Sequence, residues 1–317
     1  MDSRKVRGFK DYILLFFKGI GMGGADVVPG VSGGTIAFIT GIYEELLDSI
    51  GEVDVPAFKL LVSGKFSEFW YKINGTFLLV LLSGIFVSLL SLAKLITFLL
   101  ENYPIQLWSF FFGLIIISSI YVARTIKKWN LRVVIGGLAG IAVAYYITVA
   151  TPAETPTDSW FIFLSGSLAI CAMILPGISG SFILLILGKY EYIVNALSQY
   201  KISTLLIFGA GCVTGLLIFS RLISWLLDRY ESMTIAILSG FMIGSLNKIW
   251  PWKNVLEYHT DRHGEVKPLV TENIMPATYA EITGDNPLLI QAIVFMVCGI
   301  MLVLVLEWAA NLLKKSS

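Results

Sequence analysis

Pro29-Gly30-Val31-Ser32-Gly33-Gly34 and Pro176-Gly177-Ile178-Ser179-Gly180-Ser181 decide how this chain folds. Each hexapeptide interrupts an apolar stretch, 12–50 and 160–197, that is long enough for two helices. Proline removes a backbone donor and glycine loosens a helix, so Pro29, Gly30, Pro176 and Gly177 read as helix breaks. In hydrocarbon every backbone polar group needs a partner, and broken helices are expected only where protein or a wet cavity covers them. The two stretches are therefore expected to be re-entrant helical hairpins. Two ordinary kinked helices are the alternative.

The rest of the chain reads as a protein whose solvent is lipid. Of 317 residues, 56% are hydrophobic and 14% charged, against about 25% charged in a soluble domain. That balance excludes a soluble globular enzyme, a disordered chain and a disulfide scaffold. A net charge of +1 gives no global field for nucleic acid, and no nucleic-acid partner is expected. Cys171, Cys212 and Cys298 lie in apolar segments without paired spacing and read as small buried hydrophobes. His259 and His263 share one polar loop, so neither a metal nor a cofactor is expected. The start, with Arg4, Lys5, Arg7 and Lys10 before an apolar run, mimics a signal peptide. Lys18 breaks that run, and the segment reads as retained.

A spanning helix needs about 20 apolar residues. Six further segments qualify or nearly so: 76–100, 105–123, 133–150, 205–227, 233–246 and 288–313. Residues 51–73 read as an amphipathic connection lying along the interface, and 250–287 as an extramembrane loop.

The two hexapeptides belong to a longer repeat. Gly41-Ile42-Tyr43-Glu44 matches Gly188-Lys189-Tyr190-Glu191 at the same spacing that separates the hexapeptides. Farther on, residues 94–103 resemble 221–230 at a shorter spacing, the difference being absorbed by the 51–73 connection. Each repeat is then one hairpin plus three helices. A hairpin returns to its own side and three crossings do not, so the second repeat is expected upside down. The fold class expected is an all-α polytopic membrane protein of two inverted-topology repeats, 1–150 and 151–317.

Charge supports this orientation. Lys and Arg crowd the segments on the N-terminal side (1–11, 51–73, 124–132, 228–231, 314–317) and are scarce on the other (101–104, 151–159, 198–204, 250–287). The bias places both termini in the cytoplasm. Inverted repeats with paired broken helices mark secondary transporters, whose sites form where the breaks meet.

The residues after each break suit an anion. Ser32-Gly33-Gly34-Thr35 and Ser179-Gly180-Ser181 each open a helix, whose free N–H groups and partial positive charge favour phosphate or carboxylate. Glycines let a ligand reach the backbone, and hydroxyls add donors. Plain N-capping with close helix packing is the alternative. Lys94 and Arg221 occupy matching repeat positions and are candidates for guiding a phosphate, with snorkelling to headgroups as the alternative. Asp26, Glu44 and Glu191 are candidates for gating or proton coupling. G-x-S-G at each break also matches intramembrane serine proteases, but no histidine lies in a membrane segment to serve as base.

Residues 23–35 with 41–44, and 173–181, resemble the bacterial and archaeal polyprenyl-phosphate transporter family over nearly the whole chain. The resemblance implies a non-enzymatic flippase for undecaprenyl phosphate, the carrier lipid of cell-wall synthesis. It would return the lipid from the outer to the inner leaflet of the cytoplasmic membrane by alternating access. The implied partners are polyprenyl phosphate and membrane lipids, and a homo-oligomer is left open. A carrier of small soluble anions and an enzyme acting on lipid phosphates are the competing readings.

Overall fold

The computed structural model describes residues 7–28, 31–150, 155–260 and 266–315. Pro29, Gly30 and His263 lie outside the described residues, as do Arg4 and Lys5 of the basic start. The chain is an all-α polytopic membrane protein with one small strand pair.

The first apolar stretch folds as α1 (Phe9–Val27) and α2 (Gly33–Ile39), with α3 (Tyr43–Gly51) beyond a sharp corner. The helices α4 (Val55–Val62) and α5 (Phe66–Lys72) carry the 51–73 connection. Val55, Phe58, Val62, Phe66 and Tyr71 stand exposed on them, as an interfacial segment requires. Then come α6 (Gly75–Asn102), α7 (Pro104–Arg124) and α8 (Leu131–Val149). The second stretch repeats the pattern with α9 (Ser159–Ile174), α10 (Gly180–Ile186) and α11 (Tyr190–Ser198). It is followed by α12 (Ile202–Ser245), β1 (Lys253–Thr260), β2 (Val266–Asn273), α13 (Pro276–Thr283) and α14 (Leu289–Lys315).

Among the described residues, Gly75–Leu92, α7, α8 and α12 are long and apolar enough to cross a membrane. At 44 residues, α12 would measure about 66 Å if straight, over twice a hydrocarbon core of about 30 Å. It is two helices joined at Tyr230, whose φ and ψ of −133° and 42° leave the helical region. The sequence segments 205–227 and 233–246 are these two halves. Tyr103, between α6 and α7, has nearly the same dihedrals, −136° and 47°. The two tyrosines are the ends of the matched 94–103 and 221–230 segments, so similar sequences make similar corners.

The short helices α2 and α10 have seven residues each, about 10 Å of rise, and neither spans a bilayer. Each is ended by a glycine at positive φ, 67° at Gly41 and 60° at Gly188. An L side chain resists that conformation, which explains the glycine in both tetrapeptides. The axis from α10 to α11 bends by 108°.

Helices pack where small residues allow their backbones to approach, which is the available device in lipid. On α1, Gly19 and Gly23 meet Leu81, Gly84 and Ile85 of α6. The equivalent crossing of α9 on α12 uses Gly166, Gly211 and Gly215. The third helices are exchanged between halves. Gly113 of α7 and Gly299 of α14 cross one another, as do Gly140 of α8 and Gly240 of α12. A Cβ at Gly140 would stand 2.5 Å from the Ile237 carbonyl. The core gathers around the first break, where Leu15, Val28, Val31, Ile115, Leu238 and Met242 are buried.

The 250–287 insert departs from the all-helical expectation. Its β-branched and aromatic residues pair as an antiparallel ribbon, Lys253 opposite Asn273 and Tyr258 opposite Pro268. Trp250 and Trp252 close the insert on itself by donating to Ile274 O and Pro287 O, both at 2.8 Å, and the Trp250 ring packs edge-on to Phe112 of α7.

Candidate functional site

The two breaks meet. Ser32, the N-cap of α2, accepts a bond from Gly34 N at 3.0 Å and donates its own hydroxyl to Met173 O at 2.8 Å. Thr35 Oγ1 accepts from Gly177 N at 3.0 Å. Ser32 and Thr35 are 0% exposed. A Cβ at Gly34 would lie 2.5 Å from Ile174 O, so a glycine is what lets the first break press on the second. Gly177 has φ +88°, and its α-carbon faces Ser245 and Met242 of α12. Residues 142 positions apart in sequence are thus hydrogen-bonded.

The halves of this junction differ. Gly33 N donates to Asp26 Oδ1 at 2.7 Å, and a Cβ at Gly33 would stand 2.6 Å from Asp26 Oδ2. A carboxylate at a helix N-terminus sits where the macrodipole is positive. The Asp26 carboxyl therefore occupies the start of α2. The matching place in the second half holds Met173, whose Cγ packs at Gly180. There the N-cap Ser179 makes no side-chain cap bond, and its hydroxyl lies 2.8 Å from that of Ser181. Ser179 is buried and Ser181 is exposed. The first helix start is filled by the protein itself, and the second offers two hydroxyls and no carboxylate.

Other residues singled out from sequence lie elsewhere. Arg221 donates from Nε to Gly51 O at 3.0 Å and through its second terminal nitrogen to Val53 O at 2.9 Å. It closes the C-terminal end of α3, where a cation suits the dipole. Lys94 is exposed on α6, and Glu44 and Glu191 are exposed at the starts of α3 and α11. Lys18 donates to Thr40 O at 2.7 Å and so caps α2. In the second half the equivalent carbonyl, Leu187 O, is capped by the Thr155 hydroxyl.

Two arrangements were not legible in sequence. Arg7 grips Glu45 with both terminal nitrogens at 2.5 Å, with both side chains under a tenth exposed, and Asn74 adds a bond to the same carboxylate at 3.0 Å. The second is a cavity of about 480 Å³ between the end of α8, α10 and the β1–β2 ribbon. Lys248 and Lys253 line it. Burial pushes both ammonium groups down from the ordinary lysine range, Lys253 to about 7 with the neighbouring charge of Lys248 adding to the effect. Their only sequence signal is that they bracket Trp250-Pro251-Trp252. No group of His, Cys, Asp and Glu able to hold a metal occurs among the described residues.

The chain matches the VCA0040-like family model, described as undecaprenyl phosphate translocase-like, over residues 22–267. It is 46% identical over 297 residues to a protein of Vibrio cholerae serotype O1 named polyprenyl-phosphate transporter, covering 94% of this chain and 96% of that one. A Staphylococcus aureus protein of the same name is 36% identical over 258 residues, covering 74% of this chain and 84% of its own. No solved structure matches.

Proposed function

We propose that this chain, which belongs to the VCA0040-like, undecaprenyl phosphate translocase-like family, is a transporter of polyprenyl phosphate. Its relatives carry that name. The finer reading is a flippase that returns undecaprenyl phosphate from the outer to the inner leaflet of the cytoplasmic membrane for reuse, with both termini cytoplasmic. It works by alternating access between two inverted repeats, 1–150 and 151–317. The matched corners at Tyr103 and Tyr230, the matched glycines at 41 and 188, and the exchanged third helices all support the repeat reading.

One observation carries the mechanism. The breaks touch through Ser32, Thr35, Met173 and Gly177, so the Ser32 hydroxyl and the Gly177 N–H are taken up by protein partners, which supports reading this arrangement as a closed state. Separation of the two halves frees them. The Ser32 and Thr35 hydroxyls, the Ser179–Ser181 pair and the N–H groups of Gly33, Gly34 and Gly180 then face a common space. A phosphate entering there replaces the Ser32–Met173 and Thr35–Gly177 bonds with charge-assisted ones, which are roughly twice as strong as neutral ones. Asp26 holds Gly33 N until the phosphate arrives. Protonation would weaken its grip, which gives it a gating role coupled to a proton. Glu44 and Glu191 bound the return helices and gate them. Lys94 and Arg221 guide the headgroup, Arg221 by leaving the carbonyls at the end of α3. The prenyl tail stays in lipid, so the site must open sideways.

No catalytic residue is assigned. Ser32 faces a carbonyl and a backbone amide rather than a base, which favours transport over hydrolysis. The test is leaflet movement of a labelled polyprenyl phosphate in proteoliposomes, with uptake of soluble phosphate and release of inorganic phosphate measured beside it. Lipid movement that falls at least tenfold in Ser32→Ala with Ser179→Ala is expected. Unchanged movement in that variant refutes the site, and soluble uptake or phosphate release without lipid movement refutes the function.

A further inference from the structure

We propose that the cavity between α8, α10 and the β1–β2 ribbon is a binding subsite for a phosphate monoester bearing an apolar tail, with Lys248 and Lys253 as its cationic ligands. This rests on the reading of the chain as a lipid-phosphate transporter and adds a place where the headgroup is held outside the closed junction.

The wall has two characters. Tyr145 and Val149 of α8 and Leu185 and Ile186 of α10 make one side apolar. Lys248, just after α12, and Lys253 and Asn273, paired across the start of the ribbon, supply the polar lining together with Asn247. The volume, about 480 Å³, lies in the range of about 300–1,000 Å³ that holds small ligands, and amphiphiles fit such mixed walls. The two asparagines are tied down, Asn247 Nδ2 to Thr148 Oγ1 at 2.8 Å and Asn273 Nδ2 to Asn247 Oδ1 at 2.9 Å, so the polar wall is preformed.

Among the described residues neither half-buried lysine has a carboxylate partner of the kind that cations withdrawn from water require. Lys248 Nζ lies 4.2 Å from the centre of the Phe182 ring, and Lys253 Nζ lies 4.5 Å from that of Trp108. Lys253 also donates to Lys248 O at 2.5 Å. Aromatic faces and one carbonyl leave most of six ammonium donors unused. Glu272 shares the cavity wall but is exposed, and no carboxylate is among the groups that act on the Lys253 ammonium. A second cation beside a half-buried first is unfavourable unless an anion joins them. A carboxylate or phosphodiester brings one negative charge, whereas a phosphate monoester brings between about 1.5 and 2 at neutral pH, matching two lysines.

Position links the cavity to the junction. Phe182, under the Lys248 ammonium, directly follows Ser181, and both sit in the first turn of α10. A headgroup held by the lysines is therefore next to the half of the junction that no carboxylate fills. Charge bias puts the ribbon on the extracytoplasmic side, where an outer-leaflet lipid must be collected.

The test uses the full chain in lipid nanodiscs and three probes: geranyl phosphate, inorganic phosphate and geraniol. Calorimetric titration is expected to rank geranyl phosphate above inorganic phosphate. Lys248→Gln and Lys253→Gln are each expected to weaken both phosphate probes about tenfold, while geraniol binding stays unchanged and reports an intact fold. Lys253→Arg, which keeps the charge, is expected to retain most of the affinity. Geranyl phosphate binding that survives the double Gln variant overturns the subsite. Inorganic phosphate binding as tightly as geranyl phosphate overturns the lipid assignment in favour of free phosphate. A wild-type protein that binds geranyl phosphate through these lysines but moves no lipid in proteoliposomes supports the subsite while refuting transport. Normal lipid movement with lysine-independent binding does the reverse.

Discussion

Replacing Gly34 by alanine tests whether contact between the breaks matters. The added Cβ would stand 2.5 Å from Ile174 O and 3.0 Å from Met173 O, both backbone atoms, where ordinary contact begins at 3.4 Å. A flexible side chain cannot swing aside, so the segments must part by about 1 Å. Overpacking of this kind costs about 1–3 kcal/mol. Parting also stretches the Ser32–Met173 and Thr35–Gly177 bonds, each contributing about 1 kcal/mol. Taken as about 2 kcal/mol against the closed state alone, the shift changes the closed-to-open ratio about thirty-fold. Three readouts follow from one variant. Melting falls by several degrees, Ser179→Cys in this background reacts faster with a water-soluble maleimide, and leaflet movement of labelled prenyl phosphate slows because the occluded state no longer re-forms. Gly209→Ala is the control, since nothing lies within 4 Å of its Cβ position, and helix propensity makes it neutral to slightly stabilising. Wild-type melting, labelling and transport in Gly34→Ala would show that the junction is not a closure.

Glu45→Ala strands the buried Arg7 guanidinium, which costs about 3–5 kcal/mol; melting drops sharply, and adding Arg7→Leu recovers most of it. Lys253→Met removes a cation held near pH 7 by burial. Because that value is below the ordinary lysine range, the cost to stability is full below about pH 7 and fades as pH rises toward 10, so the variant melts higher at pH 6, on the order of 1–3 kcal/mol, and no higher near pH 10.5. Arg221→Gln removes two donors from the end of α3; melting falls by a few degrees and the apparent KM for lipid movement rises, whereas a fall in melting with an unchanged KM leaves Arg221 a structural anchor only.

Sequence alone determined where the backbone breaks, because proline and glycine act on their own residue and its neighbours. It likewise marked most of the long apolar helices, because apolar length is a local property, and it suggested the repeat, because matched tetrapeptides need no partner to be recognised. It also yielded the positions of Ser32, Thr35, Ser179 and Ser181. Tertiary structure decided what those groups bond to. That Thr35 receives Gly177 N and that Arg221 holds α3 depend on packing between segments more than a hundred residues apart, and even the seven-residue reach of Asp26 back onto Gly33 N needs the chain to fold over at the break. The ribbon was hidden because strand pairing is non-local, and nothing local in the sequence sets Lys248 and Lys253 apart until that pairing places them at one cavity. A charge in sequence carries no burial; only the neighbours that exclude water give Arg7, Glu45 and Lys253 their energies.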